Sequence, residues 1–88
     1  MPERTVTIGS AQGLHARPAA LFVQLVAKSG LPIQLTRGDK TISAASILGV
    51  ISLGIQHDDA VTLHVAEGDT ADAVLDELAA FLEADQDA

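Results

Sequence analysis

Four short segments alternate polar and apolar residues, which is the period of a β-strand with one buried face. They lie at Thr5–Ile8, Pro32–Thr36, Thr41–Ser43 and Val61–Val65. Between the second and the third, Arg37–Lys40 combines glycine with aspartate and predicts a tight hairpin turn. Because each segment has only one apolar face, we expect an antiparallel sheet that is covered on one side.

Three other segments repeat their apolar residues every three or four positions, the period of an amphipathic helix. The first predicted helix spans Ala16–Lys28, the second spans Ile47 to about Leu53 after Ser46 as N-cap, and the third follows Thr70 as N-cap. The apolar stripes are Ala19, Phe22, Val23 and Val26 in the first helix, and Val74, Leu75, Leu78, Phe81 and Leu82 in the third.

The order of elements, βαββαβα, predicts an α+β fold in which helices cover one face of a small antiparallel sheet, an open-faced β-sandwich. The 88 residues are enough for a single domain, residues 1–88, and a core this small leaves no room for a large catalytic cavity. Acidic residues crowd the end of the last helix, where the helix dipole disfavours negative charge, so residues 84–88 are expected to fray.

Composition excludes several classes of function. The net charge is −7, five basic residues are the only cations besides histidine, and two phenylalanines are the only aromatic residues, so nucleic-acid binding is not expected. The lack of cysteine excludes disulfides and thiolate metal ligands. No leader or membrane-spanning stretch is recognised, which predicts a cytoplasmic protein without direct membrane insertion. We also expect the protein to be a monomer.

The charges divide unevenly along the chain. All five basic residues lie in residues 1–40, which carry +3, whereas residues 41–88 carry −10. Two interpretations stay open: charges scattered over an acidic surface, or a polarised field that orients a charged partner.

His15 stands between a glycine-containing loop and a predicted helix start, in the run Gly13–Ala19. Pro18 suits the first helical turn, where its missing N–H has no intrahelical partner. The first N–H groups of the helix, the helix dipole and the Arg17 guanidinium can then meet an anion. These features indicate a phosphohistidine site that needs no metal. The alternative is a histidine that only caps the helix, beside an unrelated arginine.

His57 and His64 are both predicted at the surface, in a loop and on the polar face of a strand. A zinc site built from them and His15 is not expected, because the three histidines include no tight ligand pair.

The short second helix has more large apolar residues than one core-facing stripe requires. Val50 and Leu53 suit the core, while Ile47, Leu48 and Ile51 are predicted to stay partly exposed as a docking surface. Burial of all five is the alternative.

Two runs, Gly13–Ala19 (GLHARPA) and Ser46–Gly54 (SILGVISLG), together with the order of elements, resemble the HPr family. These proteins are the histidine-containing phosphocarriers of the bacterial sugar phosphotransferase system, and the resemblance covers essentially the whole chain. It implies a sheet of strand order 1-4-2-3 with three helices on one face. It also implies that His15 takes a phosphoryl group on Nδ1 from phosphorylated enzyme I and passes it to a histidine of enzyme IIA domains. Arg17 would stabilise the transferring group, and no cofactor would be needed.

The resemblance further implies a docking surface around the histidine on the first and second helices. It consists of Ala16, Arg17, Ala20, Gln24, Ala27, Ser46, Ile47, Leu48, Gly49, Ile51 and Ser52. Many relatives place lysines here, but this chain does not, so we expect weaker charge steering, with Arg17, Lys28 and Lys40 supplying what remains.

Ser46 matches the serine that HPr kinase/phosphorylase modifies in many relatives, although Ala44 and Ala45 stand where those relatives often have a basic residue. A serine is also needed here as an N-cap, so a regulatory and a purely structural role stay open. Two other functions compete with sugar transport: a phosphocarrier of the nitrogen-regulatory phosphotransferase branch, and an interaction module that has lost transfer. The intact run His15–Pro18 argues against the second.

Overall fold

The computed structural model describes residues 3–9, 13, 16–65 and 70–84, with the backbone alone for Ala16. Its elements follow the predicted order βαββαβα. The strands are β1 (Glu3–Thr7), β2 (Gln34–Arg37), β3 (Lys40–Ser43) and β4 (Ala60–His64), and the helices are α1 (Ala16–Ser29), α2 (Ile47–Ser52) and α3 (Ala71–Glu83). Of the tail predicted to fray, residues 85–88 lie outside the described residues, while Ala84 is the C-cap of α3.

The strands form one antiparallel sheet in the order β1-β4-β2-β3, which confirms the predicted α+β topology. β4 therefore pairs with β1 on one side and with β2 on the other, and only β2 and β3 are neighbours joined by a hairpin. The tight hairpin turn lies where it was predicted: Arg37 and Lys40 pair with each other, and Gly38 and Asp39 are its two central residues. Gly38 has φ of 63°, a left-handed conformation that glycine adopts at little cost.

The hydrophobic core lies between the helices and one face of the sheet. Phe22 of α1, Leu35 of β2, Leu63 of β4 and Leu75 of α3 are all fully buried. The predicted stripes of α1 and α3 face this core, with Val23, Val74 and Phe81 half-buried at its edge. The rings of Phe22 and Phe81 pack with their centroids 6.4 Å apart, a distance typical of aromatic pairs.

The other face of the sheet is open and polar. A row of four threonines crosses it in the order Thr5, Thr62, Thr36 and Thr41. Their hydroxyls pair at 3.0 Å between Thr5 and Thr62 and at 2.8 Å between Thr36 and Thr41. Because this face needs no cover, all three helices pack on the opposite side, and the site is built on that side and along one edge of it.

The two predicted N-caps behave differently. Ser46 has extended backbone (φ −100°, ψ 112°) and its Oγ accepts a 3.1 Å bond from the Gly49 N–H, as expected. Thr70 precedes α3 with ψ near 8°, and among the described residues its side chain makes no capping bond. Thr70 is thus the N-cap residue, as predicted, but its backbone lacks the extended conformation that directs the hydroxyl at the first N–H groups.

Candidate functional site

His15 itself and Leu14 lie outside the described residues, so the site is built from the residues around them. Gly13 is buried and has φ of 76°. A Cβ at this position would stand 2.5 Å from the Ile55 carbonyl oxygen and 2.7 Å from Gln56 Cα. No side chain fits there, so glycine is required both by its backbone conformation and by the close approach of the Ile55–Gln56 backbone.

Gly9 fixes the chain at the other end of the same loop. Its N–H donates to the Leu82 carbonyl at 2.9 Å, and a Cβ would collide with the Glu83 carbonyl oxygen. Just before it, Ile8 exchanges two backbone hydrogen bonds of 3.0 Å with Asp58 and Asp59. The segment that leads to His15 is therefore anchored on the last turn of α3 and on the loop that precedes β4.

Arg17 and Pro18 lie in the first turn of α1, directly after His15 in the sequence. Pro18 is buried in the first turn, while Arg17 beside it is exposed. The unpaired N–H groups of a helix N-terminus and the dipole both favour negative charge at this end. Lys28, by contrast, lies in the last turn of α1, about 16 Å from Arg17 along the helix axis. Any contribution of Lys28 to steering would therefore act over a distance and not by direct contact at this end of the helix.

The second helix divides its apolar residues as the sequence predicts. Val50 is fully buried and Leu53 is 4% exposed, whereas Leu48 is 78% exposed, Ile51 44% and Ile47 36%. The alternative in which all five are buried is wrong.

Among the other residues of the predicted docking surface, Gln24, Ala27, Ser46 and Ser52 are exposed, and Ala20 and Gly49 are half-buried. Leu21, which the sequence prediction did not include, is 41% exposed. Its position four residues after Arg17 and three before Gln24, on one side of α1, could have revealed it. We refer to Arg17, Leu21, Ile47, Leu48 and Ile51 as the docking patch. α1 and α2 pack against each other, so a partner can contact both.

A second group of residues absent from the sequence prediction lies behind the loop that touches Gly13. Arg37 Nε donates to Asp59 Oδ2 at 3.0 Å, and its Nη1 donates to the Leu53 carbonyl at 3.1 Å. Asp59 Oδ2 also accepts the Gln56 N–H at 2.7 Å. The Gln56 bond, aided by the Arg37 guanidinium, holds the pKa of Asp59 below its ordinary value. The group thus joins the β2–β3 hairpin, the end of α2 and the loop before β4.

The remaining histidines lie where they were predicted, His57 exposed in the loop before β4 and His64 half-buried on β4. His57 Nε2 is 3.4 Å from an oxygen of Asp58, which has φ of 68°. Within the described ranges, no three histidine and carboxylate side chains are grouped closely enough to hold a metal ion. In the same part of the chain, no helix has the length and apolar character needed to cross a membrane.

A family model described as the PTS HPr component phosphorylation site matches residues 2–84. The chain belongs to the HPr family. A phosphocarrier protein HPr of Haloferax volcanii is 51% identical over 78 residues, which cover 86% of each chain. The protein is accordingly related to phosphocarriers of the phosphotransferase system, and such a protein carries a phosphoryl group without being a catalyst.

Solved structures of HPr proteins share the fold. The crystal structure of HPr-C-His from Thermoanaerobacter tengcongensis has a TM-score of 0.86 at 40% identity and covers 94% of this chain and 92% of that one. The HPr of Bacillus anthracis has a TM-score of 0.85 at 37% identity, with 92% and 95% covered. An HPr dimer from T. tengcongensis has a TM-score of 0.70 at 40% identity, with 94% of each chain covered.

Proposed function

We propose that this HPr-family protein accepts a phosphoryl group on Nδ1 of His15 from phosphorylated enzyme I. It then passes the group to a histidine of enzyme IIA domains during phosphoenolpyruvate-dependent sugar uptake. The observation that carries the proposal is the family match, which names a phosphorylation site and spans residues 2–84, together with His15 between Gly13 and Arg17.

The chemistry needs few groups from this chain. The Nδ1 lone pair attacks phosphorus while the bond from phosphorus to the donor breaks, so the phosphoryl group moves without a metal or cofactor of this protein. The exposed Arg17 guanidinium and the N–H groups at the start of α1 meet the charge on the phosphoryl oxygens. Since the helix fixes the directions of the backbone N–H groups before the reaction, these donors stabilise the transition state without reorganisation.

Partner proteins dock mainly through apolar contact in this proposal. The docking patch has four large apolar side chains and a single cation, Arg17. Leu48 is the most exposed of the four and offers the largest apolar area to a partner. Enzyme I and the IIA domains would use the same patch in turn, because each must bring its histidine to His15.

The deciding experiment is incubation with enzyme I and phosphoenolpyruvate, followed by intact mass spectrometry. We expect an acid-labile gain of one phosphoryl group that His15→Ala abolishes and that the matched variants His57→Ala and His64→Ala retain. An unmodified wild type, or equal labelling of His15→Ala, would contradict the proposal. Presenting the phosphorylated protein to IIA domains of the sugar and nitrogen branches separately decides between those two branches.

Regulation at Ser46 by HPr kinase/phosphorylase is a second proposal, favoured by the position of this side chain. Ser46 is exposed, and its oxygen faces the Gly49 N–H at the start of α2, where negative charge is favourable. A phosphate there adds charge beside Ile47 and Leu48, so it should disfavour an acidic or apolar partner. Incubation with the kinase and ATP is expected to add one phosphoryl group to wild type and to Ser43→Ala but not to Ser46→Ala. An unmodified wild type would contradict the proposed regulation.

We further expect the protein to act in the cytoplasm as a monomer. Sedimentation across a concentration series measures the oligomeric state. A dimer at working concentration, such as the HPr dimer known from T. tengcongensis, would contradict the prediction of a monomer.

A further inference from the structure

The hydrogen-bonded group of Arg37 and Asp59, which we call the clamp, lies between the hairpin and the loop that supports Gly13. One carboxylate oxygen of Asp59 accepts from Arg37 Nε at 3.0 Å and from the Gln56 N–H at 2.7 Å. The same arginine donates to the Leu53 carbonyl at 3.1 Å. Its two bonds therefore fix both ends of the stretch from Leu53 to Asp59.

That stretch touches the loop of His15 at two points. The backbone of Ile55 and Gln56 meets Gly13 so closely that no Cβ fits between them. The backbone of Asp58 and Asp59 exchanges hydrogen bonds of 3.0 Å with Ile8, where the loop begins. A shift of the stretch would consequently move the chain on both sides of the segment that leads to His15.

The stretch does not hold its conformation through packing alone. Asp58 has φ of 68°, a left-handed conformation that costs about 1–2 kcal/mol for most residues with a side chain and less for aspartate, and that contacts elsewhere must offset. The side chains of Arg37 and Asp59 are 39% and 27% exposed, and an ion pair that is open to solvent adds little to stability. These three hydrogen bonds mainly fix the position of the stretch and add little to stability, because two of them involve backbone atoms of the stretch.

We propose that Arg37 and Asp59 are positioning residues for phosphoryl transfer, which they assist by holding the Leu53–Asp59 stretch against Gly13. The inference rests on the proposed function. It requires the forked geometry of arginine and not only its positive charge, since Nε and Nη1 bind different partners.

The test compares Arg37→Gln, Arg37→Lys and Asp59→Asn with wild type in phosphorylation by enzyme I at varied protein concentration. We expect each variant to lower kcat about 10-fold with KM changed less than about 2-fold, because misplacement by a fraction of an ångström slows the step without altering the docking patch. The amide resonances of Gly13 and Gln56 should shift in Arg37→Gln. The double variant Arg37→Gln/Asp59→Asn should be no slower than either single one.

Arg4→Gln is the matched control. Arg4 also forms ion pairs, with Asp76 at 2.9 Å and Asp72 at 3.4 Å, but near the opposite end of the sheet. Its loss should leave kcat unchanged.

The outcomes distinguish failure of the clamp from failure of the proposed function. Full activity in Arg37→Lys would show that charge alone matters and would overturn the proposed role of the clamp. An unchanged kcat in Asp59→Asn, with the amide resonance of Gly13 at its wild-type position, would overturn it as well. Wild type that enzyme I cannot phosphorylate would refute the proposed function, and the clamp's role with it. Phosphorylated wild type with fully active variants would refute only the clamp.

Discussion

The substitution Gly13→Ala tests the close approach between the His15 loop and the loop before β4. Two costs add at this position. A residue with a Cβ loses about 1–2 kcal/mol in the left-handed conformation, of which about 0.4–1 kcal/mol is returned because alanine restricts the unfolded chain. The new Cβ would also stand 2.5 Å from the Ile55 oxygen, and forcing an atom into a packed site costs about 1–3 kcal/mol. We therefore expect Gly13→Ala to lower the free energy of unfolding by about 2–4 kcal/mol.

Gly30→Ala is the control, because Gly30 has φ of 72° but no atom lies within 4 Å of the position that a Cβ would take. The Gly30→Ala variant has only the cost of the left-handed backbone, so its free energy of unfolding should fall by about 1 kcal/mol. For a domain of this size, each 1 kcal/mol lowers Tm by about 4–8 °C, so thermal unfolding by circular dichroism separates the two variants by roughly 5–20 °C. Phosphorylation by enzyme I, measured below both melting temperatures, should be slower in Gly13→Ala alone. Equal losses of stability would refute the close approach as the reason for glycine.

Phe22→Ala should lose about 3–5 kcal/mol in urea unfolding because its ring is fully buried, whereas Leu21→Ala, 41% exposed, should change stability by less than about 1 kcal/mol. Ser46→Ala should lose about 1 kcal/mol with its cap, and Ser46→Asp should lose less, because an aspartate can accept the same bond. Because the pKa of Asp59 is lowered in the folded state, its charged carboxylate contributes to the free energy of unfolding at neutral pH, and this contribution is lost as pH falls through the folded pKa. In an acid titration below about pH 4, Asp59→Asn should therefore lose stability less steeply than wild type. The phosphotransfer rate should fall only slightly with added salt, since Arg17 is the single cation of the docking patch, and a steep loss would show that charges beyond it guide docking.

The residue pattern predicted the elements and the division of α2 into buried and exposed residues, because spacing alone determines which side chains of a helix share a face. Contacts between distant segments could not be predicted in this way. In the sequence Arg37 is typical of a turn, and its partner Asp59 stands 22 positions further along the chain. The distance between Lys28 and Arg17 likewise follows from the length of α1 and not from the charge pattern.

The candidate site divides in the same manner. The run Gly13–Ala19 was sufficient to predict a phosphohistidine site, because the chemistry proposed for it depends on neighbours in sequence. The need for glycine at position 13 has a different origin. It comes from the Ile55–Gln56 backbone, which only the folded chain brings there.

The strand order has a consequence for how the chain reaches its native state. β4 comes from the acidic half and inserts between β1 and β2, both from the basic half. The Thr5–Thr62 pair spans 57 positions, so a long loop must close before these strands gain any stability from each other. Neither half can complete the sheet by itself. Fragments cut in the β2–β3 hairpin should stay unfolded separately and regain structure only when mixed, with association favoured by their opposite charges.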